Sequence, residues 1–593
     1  MKRSPLVFVI LLLLLASLAC QTLLPGRAGP ALPAASTAAV PAATLPPSPE
    51  AAQASPTAAP AATTPAATQA SLGAENRQMA QSPEKLLEAG EFTVRLHPED
   101  GLYVGDLVSF EVIAPPGADL DEQELAVQTG GQILGTTKFG PFGIGGRAQA
   151  TLLWAWDTGG LEPGTYPLVF EIQPSGLTWE QEVTLQHASA MPPPGQAAHW
   201  QTTTSNCCRV YTISGTAAAR DLPDLLPLID AQAEQAIAAF GLEFSEPIEI
   251  VLLPRVLGHG GFASGEIAVS YLDRNYANND LAQVLHHEMV HILDRRLGGT
   301  YQPTIFLEGL AVYLSGGHYK REPLLRRAAA LPELGLYLPL EGLVNDFYNS
   351  QHEIGYLQAG ALVQFIVDEW GWQAFDTFYR SIPQPQDGDE AGAVDQALQA
   401  NFGLSLGQLE ARFLAELHRQ TLNPDLEDDV RLTVRLYDTV RRYQQALDPS
   451  AYFLTAWLLS GPEMRSRDVV ADYLRHPNSK ENQALEALFV AAGDALKAGR
   501  YPEAQRLLAA AERTLDALEA GVSQPFSADP LAEELLRLAQ RAAADGFELQ
   551  RVAIEDGMAR VWATAQSADP GGPKLVVLNG LKIGGDWVLQ RSY

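Results

Sequence analysis

Gly298, Gly299 and Pro303 interrupt what would otherwise be one long helical stretch, and this break restricts the fold more than any other short segment of the chain. Before it runs DLAQVLHHEMVHILDRRL, in which Leu281, Val284, Leu285, Met289, Ile292 and Leu293 recur at helical spacing. Asp280 and Gln283, at its start, have the form of a capping box. After the break, IFLEGLAVYLSGG carries Phe306, Leu310, Tyr313 and Leu314 on one face of a second helix. The glycines suit a helix end and Pro303 suits a first turn, so the chain is expected to fold back on itself here.

That fold-back brings together groups with metal chemistry. His287 and His291 lie one helical turn apart on one face, about 6 Å from each other, a separation at which two imidazoles share one metal ion. Glu288 is rotated by about 100 degrees from His287, so it borders the metal without occupying a ligand direction, which is where a catalytic base belongs. From His291 the first helix climbs roughly 10 Å, and from Pro303 the second returns roughly 8 Å before Glu308, which therefore comes back level with His291. A catalytic zinc site takes three protein ligands and leaves one position open, and His287, His291 and Glu308 supply the three. Asp294, on the ligand face of the first helix, is a candidate to orient an imidazole. His286 diverges from that face and is expected to be exposed, and His259, His318 and His352 have no partner at ligand spacing. Cys207 and Cys208 are expected to be two small thiols at the start of a strand, because adjacent cysteines close only a strained ring.

The rest of the chain reads as a mosaic, since 593 residues exceed what one hydrophobic core serves. Residues 1–20, MKRSPLVFVILLLLLASLAC, have the form of an export signal too short to stay in a bilayer as a spanning helix. Leu18-Ala19-Cys20 resembles a bacterial lipobox, with Ser17 where Leu is usual; this implies lipidation of Cys20 and anchoring outside the cell membrane, plain secretion being the alternative. Residues 21–90 are Ala-, Pro- and Thr-rich and are expected to form a disordered tether. Period-two alternation over 91–190, as in Val108-Ser109-Phe110-Glu111-Val112, predicts a β-sandwich resembling immunoglobulin-like modules. Residues 198–422 read as an α+β domain with a small sheet ahead of helices, 423–546 as a helical region with one tetratricopeptide-like hairpin, and 547–593 as a small β-element. With 40 Lys and Arg against 70 Asp and Glu, the net charge of -30 argues against nucleic acid or anionic lipid as the main electrostatic partner.

HHEMVHILD, followed by LEGLAVY with Glu308 seventeen residues after His291, resembles the gluzincin metallopeptidases, in particular the peptidase MA-like domains of bacterial envelope proteins. The likeness extends over about 198–422. It implies a thermolysin-like core, a zinc ion, a peptide or protein substrate, Glu288 as base and Tyr356 of GYLQAG as the donor to the developing oxyanion. It also implies that the strand Glu266–Leu272 is an edge to which an extended peptide adds. SGEIAVS departs from aminopeptidase N-like gluzincins, which carry Gly-x-Met-Glu-Asn to grip a free amino terminus, so an endopeptidase is expected. A two-His, one-carboxylate iron oxygenase shares the ligand inventory, but histidines one turn apart with Glu between them argue against it. The remaining alternative is a non-catalytic surface lipoprotein that uses the metallopeptidase-like domain as a binding scaffold.

Overall fold

The computed structural model describes residues 88–591, apart from 119, 121, 143–146, 194, 255–259, 319, 450, 452–460, 556 and 566–570. The readings made for residues 1–87, Cys20 included, and for His259 lie outside the described residues. All described residues belong to one compact unit, Glu50–Tyr593, a mixed α/β assembly of several sheets and many helices.

The first part consists of two facing sheets. Strands Thr93–His97, Leu107–Ile113, Arg147–Asp157 and Gly140–Phe142 form one, in that order. Leu102–Tyr103, Leu177–Gln186, Gly164–Gln173, Glu124–Thr129 and Gln132–Lys138 form the other. Val108, Phe110, Val112, Leu125, Val127 and Phe170 share a core between them, which buries the apolar face of each sheet. The polar positions of the alternating strand are buried as well. Ser109 accepts the Trp154 N–H at 2.7 Å, and Glu111 is held by His97 and Arg147.

A five-stranded sheet follows, ordered Trp200–Thr204, Cys208–Ile213, Ile248–Leu253, Glu266–Ser270, Gly261–Ser264. The middle three strands are parallel, and the two outer strands are antiparallel to their neighbours. Strands covered on both faces need apolar residues at successive positions, and IEIVLL supplies them. Ile250 and Leu252 meet Leu225, Ile229 and Ala233 of helix Ala217–Phe240 together with Val284, Leu285 and Met289 of helix Leu281–Leu297. Val251 and Leu253 face the other way, onto Trp154, Met464, Val469 and Tyr473. The strand Glu266–Ser270, expected at an edge, is paired on both sides, and the edge is the short hairpin strand Gly261–Ser264. A β-carbon on Gly261 would stand 2.5 Å from Val284 Cγ1, so glycine there lets this edge strand lie against the helix that carries the two histidines.

The helical and β segments expected as separate units over 423–546 and 547–593 share one core. Leu485, Leu488, Leu508, Leu515 and Leu538 pack with Leu549, Val561, Ala563 and Leu578 of a four-stranded antiparallel sheet. The loop ahead of the histidine-bearing helix is plugged into it. Buried Arg274 reaches Glu486, Glu548 at 2.8 Å, Asn478 at 2.7 Å and the Leu549 carbonyl at 2.7 Å. Asn278 donates to the Phe489 carbonyl at 3.0 Å against Gly493, where any β-carbon would collide with the Asn278 amide. Arg475, in turn, ties this part to the sandwich by two bonds to Asp106, 2.6 and 2.7 Å.

Helix Thr304–Ser315 crosses helix His352–Trp370 at small residues. A β-carbon on Gly309 would stand 2.7 Å from the Ala359 carbonyl oxygen, and one on Gly360 would stand 2.4 Å from Val312 Cγ1. The first of these obstacles is backbone, which cannot rotate aside. Gly309→Ala is expected to lower the unfolding free energy of the full chain by about 1–3 kcal/mol, the usual cost of overpacking. Denaturant titration measures it, and an unchanged midpoint at unchanged slope would show that the two helices separate freely.

Candidate metal centre

Helix Leu281–Leu297 begins at Asp280, whose carboxylate accepts the Ala282 N–H at 2.8 Å. Gln283 does not complete a capping box; its side-chain amide donates to the Gly317 carbonyl beyond the second helix. Because the helix lies between sheet and helical layer, nearly every residue from Gln283 to His291 is buried whatever its polarity. His286 is among them at 4 % exposure, contrary to expectation, and burial beside Arg321 lowers its pKa to about 4. The first helix ends at Gly298 and the second starts at Thr304 behind Pro303, the break read from the sequence.

His287, His291 and Glu308 converge. The two imidazoles present Nε2 to each other at 3.1 Å with ring planes at 84°, and Glu308 Oε2 stands 3.2 Å from His287 Nε2 and 3.4 Å from His291 Nε2. Three donor atoms at mutual distances of 3.1–3.4 Å match a shell of ligands about 2.0–2.2 Å from one tetrahedral centre, and two imidazoles with one carboxylate suit a divalent transition ion. Without an ion the three groups pair with one another. Burial alone would raise the Glu308 carboxyl, but the charge of His291 and hydrogen bonds with both histidines hold it well below the usual range. Burial pulls the His287 pKa down to about 4, while His291, despite burial, is raised by Glu308. Glu288 is also buried, at 2 % exposure, and its charge acts on both His291 and Tyr348.

The second oxygen of Glu308 is held by a residue the sequence did not single out. Tyr348, in the single turn Phe347–Asn349, donates its hydroxyl to Glu308 Oε1 at 2.8 Å. Burial and the Glu308 charge keep that hydroxyl protonated, well above the usual tyrosine range. Tyr356, the tyrosine expected to serve the oxyanion, sits one helix further in. Its ring lies 6.3 Å from that of His287 and stacks on His318 at 4.1 Å and 14°. Nothing in the spacing of NDFYNSQHEIGY separates the two tyrosines, since the turn that aims Tyr348 is set by packing.

Asp294 does not orient an imidazole. Its carboxylate takes the Arg380 guanidinium at 2.7 Å, the Tyr379 hydroxyl at 2.9 Å and the Gln302 amide at 2.8 Å, while Arg380 also holds the Gly298 carbonyl at 2.6 Å. It pins the end of the histidine helix to the segment Trp372–Arg380 and to the linker that delivers Glu308. Cys207 and Cys208 are joined in a disulfide rather than held as two thiols.

No family model matches the chain, and no curated protein matches it. Among solved structures, an aminopeptidase N family protein from Idiomarina loihiensis is similar over 55% of this chain and 70% of that chain, at 10% identity and a TM-score of 0.22. At that level of likeness the function has to be argued from the site itself.

Asp294→Ala is expected to cost about 1–3 kcal/mol of stability, because the buried Tyr379 hydroxyl would lose its acceptor while Arg380 keeps Asp376 and the Gly298 carbonyl. At temperatures where the variant stays folded, its zinc affinity, read by competition with a chromophoric chelator, should fall by less than the roughly 10-fold that follows loss of a ligand-orienting carboxylate.

Proposed function

We propose that this protein is a zinc-dependent metallopeptidase of the gluzincin kind, acting on peptide or protein substrates as an endopeptidase. The observation that carries the proposal is the convergence of His287, His291 and Glu308 on one point, with Glu288 buried beside them. A zinc ion held there would supply a Lewis acid and lower the pKa of a bound water to about 7. Glu288 takes the proton of the attacking water and delivers it to the leaving amine nitrogen. Tyr348 orients Glu308 through its 2.8 Å bond, and its single hydroxyl proton is committed there, which leaves the oxyanion donor expected of this kind of site to Tyr356, on the next helix. For the substrate, the edge strand Gly261–Ser264 is the element to which an extended peptide adds by backbone pairing, beside the histidine helix.

The proposal includes export and lipid anchoring through Cys20, with residues 21–90 as the tether that holds the peptidase off the membrane. No helix among the described residues is long and apolar enough to cross a membrane.

Two substitutions test the assignment on the full chain, with an unfolded protein and a quenched-fluorescence peptide library as substrates. Glu288→Gln should retain zinc and lose roughly 10²–10⁴-fold in cleavage, the loss that follows removal of a general base. Tyr348→Phe should weaken zinc binding by about 10-fold or more through loss of the bond that orients Glu308. A wild-type chain that binds zinc and cleaves nothing in either assay would instead establish the binding-scaffold reading.

A further inference from the structure

We propose a second divalent-metal site, of the zinc class, formed by His318, His352 and Glu353. Their donor atoms all lie within 4.8 Å of one another, and the three residues are buried. His318 Nδ1 stands 2.8 Å from Glu353 Oε1, and His352 Nδ1 stands 3.3 Å from the same oxygen. The 3.3 Å separation is that of two ligands of one tetrahedral ion, the 2.8 Å one is shorter and would open by about half an ångström on binding, and the imidazole and carboxylate types match.

The ring of His318 distinguishes a metal site from a simple ion pair. It is 1 % exposed, yet neither of its nitrogens has a hydrogen-bond partner in the described structure. Nδ1 is close to the Glu353 oxygen but not in hydrogen-bond geometry with it, so the direction of its lone pair or N–H passes beside the carboxylate. Glu353 Oε2 is likewise buried without a partner. A buried histidine that paired with a carboxylate for structure alone would point its N–H at the oxygen, because an unmade buried bond costs about 1–3 kcal/mol. His352 keeps a 3.3 Å bond to Glu353 Oε1, and the His318 nitrogens with Glu353 Oε2 are the buried polar atoms that an ion would satisfy. Tyr356 stacks on His318 and Tyr437 stacks on His352, at 4.1 and 5.2 Å, so aromatic faces exclude water from the cluster and fix both rings.

The position of the cluster indicates its use. His318 follows the helix that carries Glu308 by three residues, and Gln283 of the histidine helix holds the Gly317 carbonyl next to it. His352 and Glu353 open the helix that follows Tyr348 by four residues. An ion at this point clips the far ends of the two segments that supply Glu308 and its tyrosine. It is a structural ion that positions the first centre, and it does not depend on the first centre being a peptidase.

The test is metal stoichiometry of the full chain, loaded with zinc, freed of excess ion and measured by plasma mass spectrometry, with circular dichroism as the check on folding. Wild type is expected to hold two equivalents. His287→Ala should hold one, His318→Ala and Glu353→Gln should each hold one, and the His287→Ala, Glu353→Gln pair should hold none. His318→Ala and Glu353→Gln should also lower the melting temperature of the zinc-loaded chain but not that of the chelated chain. One equivalent in wild type, lost in His287→Ala, overturns the second site and leaves the peptidase reading standing. Two equivalents that both survive in Glu353→Gln and His318→Ala overturn it as well, since the second ion then lies elsewhere. If His318→Ala fails to fold, the wild-type count and the isosteric Glu353→Gln decide.

Discussion

Keeping the Glu308 carboxylate ionised out of contact with water is the constraint on which the arrangement of the site depends. Taking such a group into the interior costs several kcal/mol unless charge and hydrogen bonds replace its hydration. Here the replacements come from two places in the chain: His287 and His291 on one helix, and Tyr348 on a turn forty residues past Glu308. None of them is local to Glu308. The relative positions of the three segments must therefore be held to fractions of an ångström, and the conspicuous features around the site serve that end. Gly309 and Gly360 let two helices cross in backbone contact, and Asp294 with Arg380 pins the turn between the histidine and glutamate helices.

The same requirement accounts for the long C-terminal part. Arg274, Tyr276 and Asn278 precede the histidine helix, and each is inserted into the core formed by residues past 430. Without that core, a buried guanidinium and a buried tyrosine would face water at the start of the helix that presents His287. The sandwich is attached in turn through Trp154 and through the Arg475–Asp106 pair, so the sheet behind the site has both faces covered. The parts of this chain are not beads on a string. They are successive layers around one pair of helices.

Much of the site could be read from the chain because the chemistry is encoded at short range. Two histidines four residues apart on a helix face one way by helical geometry alone, and the Gly-Gly stop with Pro restart returns Glu308 to their level by counting residues. The strands of the sandwich and of the central sheet were likewise visible as alternating or continuous apolar runs. What failed were assignments that needed a partner from far away. Asp294 has the right spacing to serve an imidazole but is taken by Arg380, eighty-six residues on. His286 points away from the ligand face yet is buried, because a helix between two layers has no outer side. The strand Glu266–Ser270, an edge by the implied resemblance, failed for a local reason instead: its own hairpin arm Gly261–Ser264 covers it.

The sequence by itself determined the histidine helix, the placement of Glu288 beside His287 and the return of Glu308 to the level of both histidines, because each follows from backbone geometry over fewer than thirty residues. Only the tertiary structure decided that Tyr348 holds Glu308, and that His318, His352 and Glu353 meet at all. Those choices depend on how two helices and a short turn pack against each other, and a packing solution is a property of contacts between distant residues that no local spacing records.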